Sequence, residues 1–436
     1  MEIKELYNIF LQHPTVTTDS RDVPEGSIFF ALKGGNFNGN AYAKDALEKG
    51  ASYAVIDEKE YAEGGNERLI LVDDVLTTFQ QLAKYHRCQL GTTVIGITGT
   101  NGKTTTKELI AAVLKKKYDV LYTQGNLNNH IGVPKTLLQL KKEHQIAVIE
   151  MGANHPGEIK TLVEIALPDY GIITNVGKAH LLGFGSFAGV IRTKGELYDF
   201  LRTDNGTVFI NNDNPHLRGI SAGLRLIRYG QKDAEGLLVK GELIECNPTL
   251  KFRWSPVPSP FSPMEVQTKL IGSYNLDNAL AAACIGTLFA VSATDISDAL
   301  AEYTPSNNRS QLTVTDSNSL VVDAYNANPT SMEAAINNFH LMKADHKMCI
   351  LGDMGELGEA SSEEHQKVTD LLKKYKFERI WLVGKEFAKT DHPECYETFP
   401  DVDAVKQQIA TDKPKGYTIL IKGSNSTKLY QLPEFL

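Results

Sequence analysis

At 436 residues the chain is long enough for two to four domains, and three fits best. An apolar fraction of 42% and a charged fraction of 22% exclude disorder and collagen-like structure, and a net charge of −8 excludes the basic field that non-specific nucleic-acid or anionic-membrane binding requires. Any polyphosphate partner must therefore be held by a local site. The five cysteines, Cys88, Cys246, Cys284, Cys349 and Cys395, are odd in number and never form a C-x-x-C pair, which argues against a disulfide framework or zinc knuckle and for a reducing compartment. The opening MEIKELYNIFLQHP has a helical apolar pattern without a signal-like apolar core, and no apolar run nears the roughly 20 residues of a membrane span. A cytoplasmic protein is expected, with no nucleic-acid partner and no membrane insertion, and with nothing to suggest an oligomer it is expected to be a monomer.

Residues 1–90 carry two short strand-like runs, SIFFAL and YAVI, with the helical stretch YAKDALEKG between them and VLTTFQQLAKYHRCQL at the end, which predicts a small mixed α/β domain. From Thr92 the pattern is regular. TVIGITG reads as a buried strand, a Gly-rich turn follows, and KELIAAVLKKK places Leu109, Ile110, Val113 and Leu114 at helical spacing. DVLYT, PKTLLQL, QIAVIEMG, PGEIKTLVEIA, YGIITNV, the helical stretch around IRTKGELYDFL, and GTVFIN continue the alternation, so residues 91–307 are expected to form a doubly wound, mostly parallel sheet with helices on both faces. Residues 236–271 read as a β insertion of short strands with a Pro-rich turn, SPVPSPFSP, ahead of the Ala-rich helix NLDNALAAACIGTLFAV. The polar run TPSNNRS (304–310) is the best linker, and residues 308–436 follow as a third domain. There SLVVDA, MCILGD, RIWLVG and YTILIKG alternate with three helical stretches, the pattern of a Rossmann-like open α/β sheet. The lysine runs 115–117 and 141–142 fall at expected helix ends, where cations complement the dipole and stay hydrated.

The sharpest chemical signal is Gly99-Thr100-Asn101-Gly102-Lys103-Thr104-Thr105, between an apolar strand and a helix. Glycines there let backbone N–H groups face phosphate oxygens, the helix N-terminus adds positive potential, lysine reaches the β and γ phosphates, and the threonine hydroxyl serves magnesium. An ATP-type triphosphate is the expected ligand. Ile97 stands where the strict G-x-x-x-x-G-K-[ST] motif has glycine, so the loop is a shortened relative of that motif. Glu150 and His180 follow strands of the same sheet and fall at its ligand-binding edge. The Glu150 carboxylate is a hard oxygen donor suited to Mg²⁺, against the alternative of a capping or exposed acid, whereas a lone histidine such as His180 is more often structural. Asp323 ends the strand SLVVD of the third domain, and with Asn326 and Asn328 just after it completes the phosphate site only if that domain folds over it. NANP fits an Asn/Pro turn with a helix start equally well. Asn275 and Asn278 lie on one helical face and suit either adenine or ribose contacts or capping.

Taken together these residues resemble the Mur ligase family, which adds amino acids to the peptide of the bacterial cell-wall precursor. TGTNGKTT, the EMG after Ile149, a histidine with K-G-E fourteen residues on, N-L-D-N-A, an arginine at the linker and an aspartate after the last domain's first strand occur in the family's order. Within the family, TDSR (18–21) with IFFALKG, GNLNNHIGVP (125–134), EMGANHPGEI (150–159), HLLGFGS (180–186), DAYNANP (323–329) and LGDMGELG (351–358) are similar to the member that adds D-alanyl-D-alanine to UDP-N-acetylmuramoyl-tripeptide. The resemblance implies an ATP-dependent amide ligase with two Mg²⁺ ions, its first domain holding the UDP end of the sugar peptide, its second ATP, and its third the dipeptide. It implies that Lys103 and Thr104 serve phosphate and metal, that Glu150 and His180 are metal-associated, and that Lys194 is the lysine the family carbamylates. Asn275, Asn278, Arg309 and Asp323 fall on the family's nucleotide and closure positions, and Ser20, Arg21, Asn128 and Asn129 on positions near the UDP-sugar peptide. Tyr274, Asn308 and Asn425 depart from a histidine, a glycine and an arginine common in relatives, which bears on adenine packing, the hinge and dipeptide contacts. Two other readings compete. A nucleotide switch needs a guanine-reading N-K-x-D segment that is absent, and a folylpolyglutamate-synthetase-like ligase lacks the UDP-binding module that TDSR and IFFALKG imply here.

Overall fold

The computed structural model describes residues 1–62, 65–258, 262–305 and 311–436. Arg309, Asn308 and most of the TPSNNRS run lie outside them.

Three large sheets follow one another along the chain, with a two-stranded ribbon, Lys33–Gly34 against Phe37–Asn38, beside the first. The central one has nine strands, in spatial order Met264–Ile271, Thr249–Pro256, Leu237–Cys246, Arg225–Gly230, Thr207–Asn211, Tyr170–Ile173, Thr93–Thr98, Ile146–Glu150 and Val120–Tyr122. From Leu237–Cys246 to Val120–Tyr122 every pairing is parallel. The helices Lys103–Leu114, Asn275–Leu288 and Ala293–Glu302 pack on one face, and Gly132–Leu137, Glu158–Ala166 and Phe187–Thr203 on the other. A doubly wound sheet of this kind leaves its ligand crevice at the carboxyl ends of the strands, where the winding reverses. Here that point lies between Thr93–Thr98 and Tyr170–Ile173, beside the Gly-rich turn.

The β insertion expected at 236–271 is present, although it does not interrupt the sheet with short strands. Its three strands are long and extend the central sheet itself, the first joining parallel and the other two antiparallel. Their burial alternates residue by residue, because one side packs on the Asn275–Leu288 helix while the other faces water. The polar outward positions break each strand into apolar fragments when the sequence is scanned for continuous runs.

The first domain has a four-stranded parallel sheet, with Ile28–Phe30 and Tyr53–Ile56 flanked by the very short Val16–Thr17 and Leu69–Leu71. Its helix Val75–Gln89 docks it to the central domain. His86 Nε2 pairs with Leu140 O at 2.9 Å, and the buried Arg87 reaches Asp169 Oδ2 at 3.0 Å and the carbonyls of Ala166 and Leu167. The core of the first domain is thereby continuous with one face of the central sheet. The third domain's sheet runs Gln311–Val314, Ser319–Asp323, Thr418–Lys422, Lys347–Gly352, Arg379–Val383 and Glu397–Phe399, parallel except for the first strand. Among the described residues no helix is long and apolar enough to cross a membrane.

Candidate active site

The Gly-rich turn keeps its shape for two local reasons. Gly99 and Gly102 have φ of +145° and +76°, which side chains rarely adopt. A Cβ on Gly99 would lie 2.0 Å from Thr174 Oγ1, and one on Gly102 2.7 Å from Asn278 Oδ1. Ile97 is a buried strand residue paired with Ile172 and Glu150, so the loop begins two residues later than in the strict motif. The Thr100 hydroxyl accepts from Gly177 N at 3.0 Å, and Asn101 N donates to Asn175 Oδ1 at 3.0 Å. Lys103 Nζ lies over the loop, donating to the carbonyls of Gly99 (2.8 Å) and Thr100 (3.2 Å).

Thr104 and Glu150, both buried, meet at the sheet edge. The Thr104 hydroxyl donates to Glu150 Oε2 at 3.0 Å, Asn128 Nδ2 donates to Oε1 at 2.8 Å, and Glu150 N donates to Thr123 Oγ1 at 2.9 Å. A hydroxyl and a carboxylate placed together beside a phosphate loop are a hard-oxygen set that suits Mg²⁺. His180 stands at φ +50° with Nδ1 against the Glu356 carboxylate of the third domain. Burial, together with the Lys103 and Lys194 charges, holds its pKa below the usual histidine range against the opposing pull of Glu356.

Lys194 is only 2% exposed, on the inner side of the helix Phe187–Thr203. Its Nζ donates to Ala153 O at 3.3 Å and lies 5.3 Å from the Phe184 ring. Burial, and secondarily the Lys103 charge, brings its pKa down to about 7. A large share of this amine is therefore neutral at neutral pH, the state that adds carbon dioxide.

Asn275 and Asn278 form a buried strut beneath the loop. Thr106 Oγ1 donates to Asn278 Oδ1 (3.0 Å), Asn278 Nδ2 to Asn275 Oδ1 (2.8 Å), and Asn275 Nδ2 to Ile271 O (2.8 Å). Their amides brace the loop, and neither caps the helix. From the third domain, Asp323 pairs with buried Lys422 at 2.6 Å, and Lys422 also donates to Asn326 O. Asn328 caps the helix Pro329–Leu341 in a box with Ser331 while its Nδ2 donates to Asn101 Oδ1 at 2.8 Å, so the turn and the site contact coexist.

One cavity of about 980 Å³ joins these parts. Thr100 to Thr105, Asn128, Asn129, Glu150, His180, Asn275, Asn278, Asp323 and Asn326 line it, with Leu76 and Gln80 reaching in from the first domain. Gly99 and Lys194 are not on its wall. Ser20 and Arg21 are not brought to it either: Arg21 is 88% exposed and turned onto Asp19, at 2.7 Å. Asn175, Tyr325, Thr330 and Lys422 line the cavity without having drawn notice in the sequence. Lys422 had a local signal, the KGS phrase, whereas Asn175 and Thr330 are ordinary polar residues placed by long-range contacts.

Three family models match along the chain: the Mur ligase family catalytic domain at residues 14–87, the Mur ligase middle domain at 97–286 and the Mur ligase glutamate ligase domain at 308–425. The chain belongs to the Mur ligase family. A curated Mur ligase relative, the UDP-N-acetylmuramoyl-tripeptide--D-alanyl-D-alanine ligase of Bacillus subtilis (strain 168), is 34% identical over 96% of this chain and 92% of its own. Among solved Mur ligases, a crystal structure of MurF from Acinetobacter baumannii superposes with a TM-score of 0.84 at 31% identity, covering 96% of this chain and 92% of that one. The MurF ligase of Thermotoga maritima in complex with ADP superposes at 0.85 with 27% identity, covering 98% and 97%.

Proposed function

We propose that this Mur ligase joins D-alanyl-D-alanine to UDP-N-acetylmuramoyl-tripeptide with ATP, in cytoplasmic peptidoglycan precursor synthesis, acting as a monomer. The observation that carries this reading is one cavity where a phosphate loop, an oxygen pair for a metal and the edge of a closing third domain converge, in a chain matched nearly end to end by UDP-N-acetylmuramoyl-tripeptide--D-alanyl-D-alanine ligases. The terminal carboxylate of the tripeptide attacks the γ-phosphate, giving an acyl phosphate and ADP, and the dipeptide amine then attacks the activated carbonyl and releases phosphate. The labour divides as residues 1–90 for the UDP-sugar peptide, 91–307 for ATP and 308–436 for the dipeptide and closure.

Two anions must be held in contact, so positioning and charge neutralisation are the protein's main contributions. The loop N–H groups from Gly102 to Thr105 and the Lys103 side chain meet the phosphates, with Asn275 and Asn278 keeping the loop rigid beneath them. Thr104, Glu150, His180 and, once carbamylated, Lys194 would hold two Mg²⁺ ions. When bound, these neutralise phosphate charge and draw both anions together. Formation of the carbamate joins the neutral Nζ of Lys194 to the carbon of CO₂ and releases one proton, converting a cation that repels metal into an oxygen ligand. Arg309, Asp323 and Asn326 close over the nucleotide, and Asn128 and Asn129 border the acceptor side. Ser20 and Arg21 serve the UDP end, away from the reacting groups. The runner-up, a folylpolyglutamate-synthetase-like ligase, keeps this chemistry but has no use for the first domain, whose residues 14–87 match the family model.

Phosphate release measured with ATP, Mg²⁺, UDP-N-acetylmuramoyl-tripeptide and D-alanyl-D-alanine, each omitted in turn, tests the assignment. Release that needs both acceptor and dipeptide, with the pentapeptide confirmed by mass, is expected. Release without the dipeptide, or only with a folate, overturns it.

A further inference from the structure

Lys107 has no place in the mechanism above, yet it is fully buried beside the site. It lies in the helix Lys103–Leu114 one turn beyond Lys103, and its Nζ has no hydrogen-bond partner. An ammonium taken out of water is costly unless opposite charge lies close by. Two carboxylates and one ring surround it. Glu150 Oε2 and Glu108 Oε1 each lie 3.7 Å away, and the Tyr122 ring centroid lies at 5.7 Å. The other Glu108 oxygen takes the Tyr303 hydroxyl and the Glu108 side chain is partly exposed, whereas Glu150 is only 1% exposed. The buried charge that Lys107 balances is therefore that of Glu150.

We propose that Lys107 is the built-in counter-cation of Glu150, which keeps the nucleotide-free site from holding a divalent ion, so that the metal enters together with the triphosphate. This rests on the magnesium reading of Glu150 given above. A divalent ion placed on Glu150 meets the ammonium as a like charge across a poorly screened interior, with the two carboxylates of Glu150 and Glu108 to offset three positive charges. With a triphosphate on the loop, its negative charges reverse that balance. Lys107 then acts as a positioning residue, holding Oε2 while Thr104 exchanges the carboxylate for the metal. Without it, metal bound ahead of nucleotide would occupy the space through which the loop receives phosphate.

Mn²⁺, followed by electron paramagnetic resonance of the free ion, reports binding without turnover. Full-length nucleotide-free wild type is expected to bind Mn²⁺ weakly at this site and to gain a tight site on addition of ADP. Lys107→Met is expected to bind Mn²⁺ at least tenfold tighter than wild type without nucleotide, an increase lost in the double variant with Glu150→Gln. Lys107→Arg, which keeps the charge, should behave as wild type, and Lys107→Gln gives the neutral test if the methionine variant does not fold. Neutral variants that bind no tighter than wild type, while wild type still gains its ADP-dependent site, overturn the proposal and leave the ligase reading intact. If Mn²⁺ fails to bind even with ADP, the metal role of Glu150 falls, and this proposal with it.

Discussion

Replacing Lys194 with methionine should make the metal-free protein more stable, by an amount that depends on pH in a defined way. An unfolded lysine titrates at 10.5 and the buried one at about 7, so the folded protein binds this proton less tightly than the unfolded chain. That lowering corresponds to about 5 kcal/mol of opposition to folding. For a depressed lysine the sign is that stability rises with pH wherever the unfolded chain holds the extra proton. The opposition is complete below about pH 6, falls by about 1.4 kcal/mol per unit between the two pKa values, and has vanished above about pH 11. The advantage of Lys194→Met should therefore be about 5 kcal/mol at pH 6 and about 2 kcal/mol at pH 9, less any constant for the lost contact with Ala153 O. The chain has two tryptophans, Trp254 in the central sheet and Trp381 in the third domain, so denaturation followed by fluorescence in a Trp381→Phe background reports the domain that contains Lys194. Buffers must be free of carbon dioxide. Added bicarbonate should then raise the stability of wild type and leave the variant unmoved, because only the native amine is poised to react. A stability gap that stays constant from pH 6 to 9 would refute the idea that Lys194 is a half-neutral buried amine.

Gly102→Ala adds the cost of a left-handed residue, about 1–2 kcal/mol, and a contact 2.7 Å from Asn278 Oδ1, so ADP affinity by calorimetry should fall at least tenfold. Asn278→Ala in the same chain should restore part of the loss, and no restoration would mean that backbone strain alone is responsible. Lys178 bridges from the central domain to Glu364 of the third at 2.8 Å, with its own N–H on Thr330 Oγ1 at 3.1 Å. Lys178→Met removes a half-exposed pair worth about 1 kcal/mol, so the closed population of the ligand-free protein should fall about fivefold relative to open forms, visible as a larger radius of gyration in solution scattering.

The loop from Gly99 to Thr105 was legible because every part of it, strand end, glycines, lysine and helix start, is contiguous. Lys194 was legible only by resemblance: its burial comes from Ala153 and Phe184, and nothing in IRTKGELY distinguishes an inward lysine from an outward one. Lys107 illustrates the limit further, since Tyr122, Glu150 and Tyr303 enclose the KEL stretch from three separate segments. Conversely, Ser20 and Arg21 carry a family phrase but do not line the cavity, which the first domain reaches through Leu76 and Gln80 of its docking helix. The edge strands at 249–271 were illegible as parts of the main sheet because antiparallel edges expose alternate residues, which a search for apolar runs discounts.

The polar contacts that join the third domain to the phosphate loop form one chain. Asn328 donates to Asn101, Asn101 is held by Asn175, and Thr100 is held by Gly177, whose neighbour Lys178 returns to Thr330 and Glu364. A triphosphate that engages the loop N–H groups must adjust the residues on which the third domain rests. Loop occupancy and closure are thus coupled through shared groups, and whatever free energy phosphate binding gives to one is available to the other. In the reaction proposed above, whose activated intermediate is destroyed by water, that coupling ties the exclusion of water to an occupied loop.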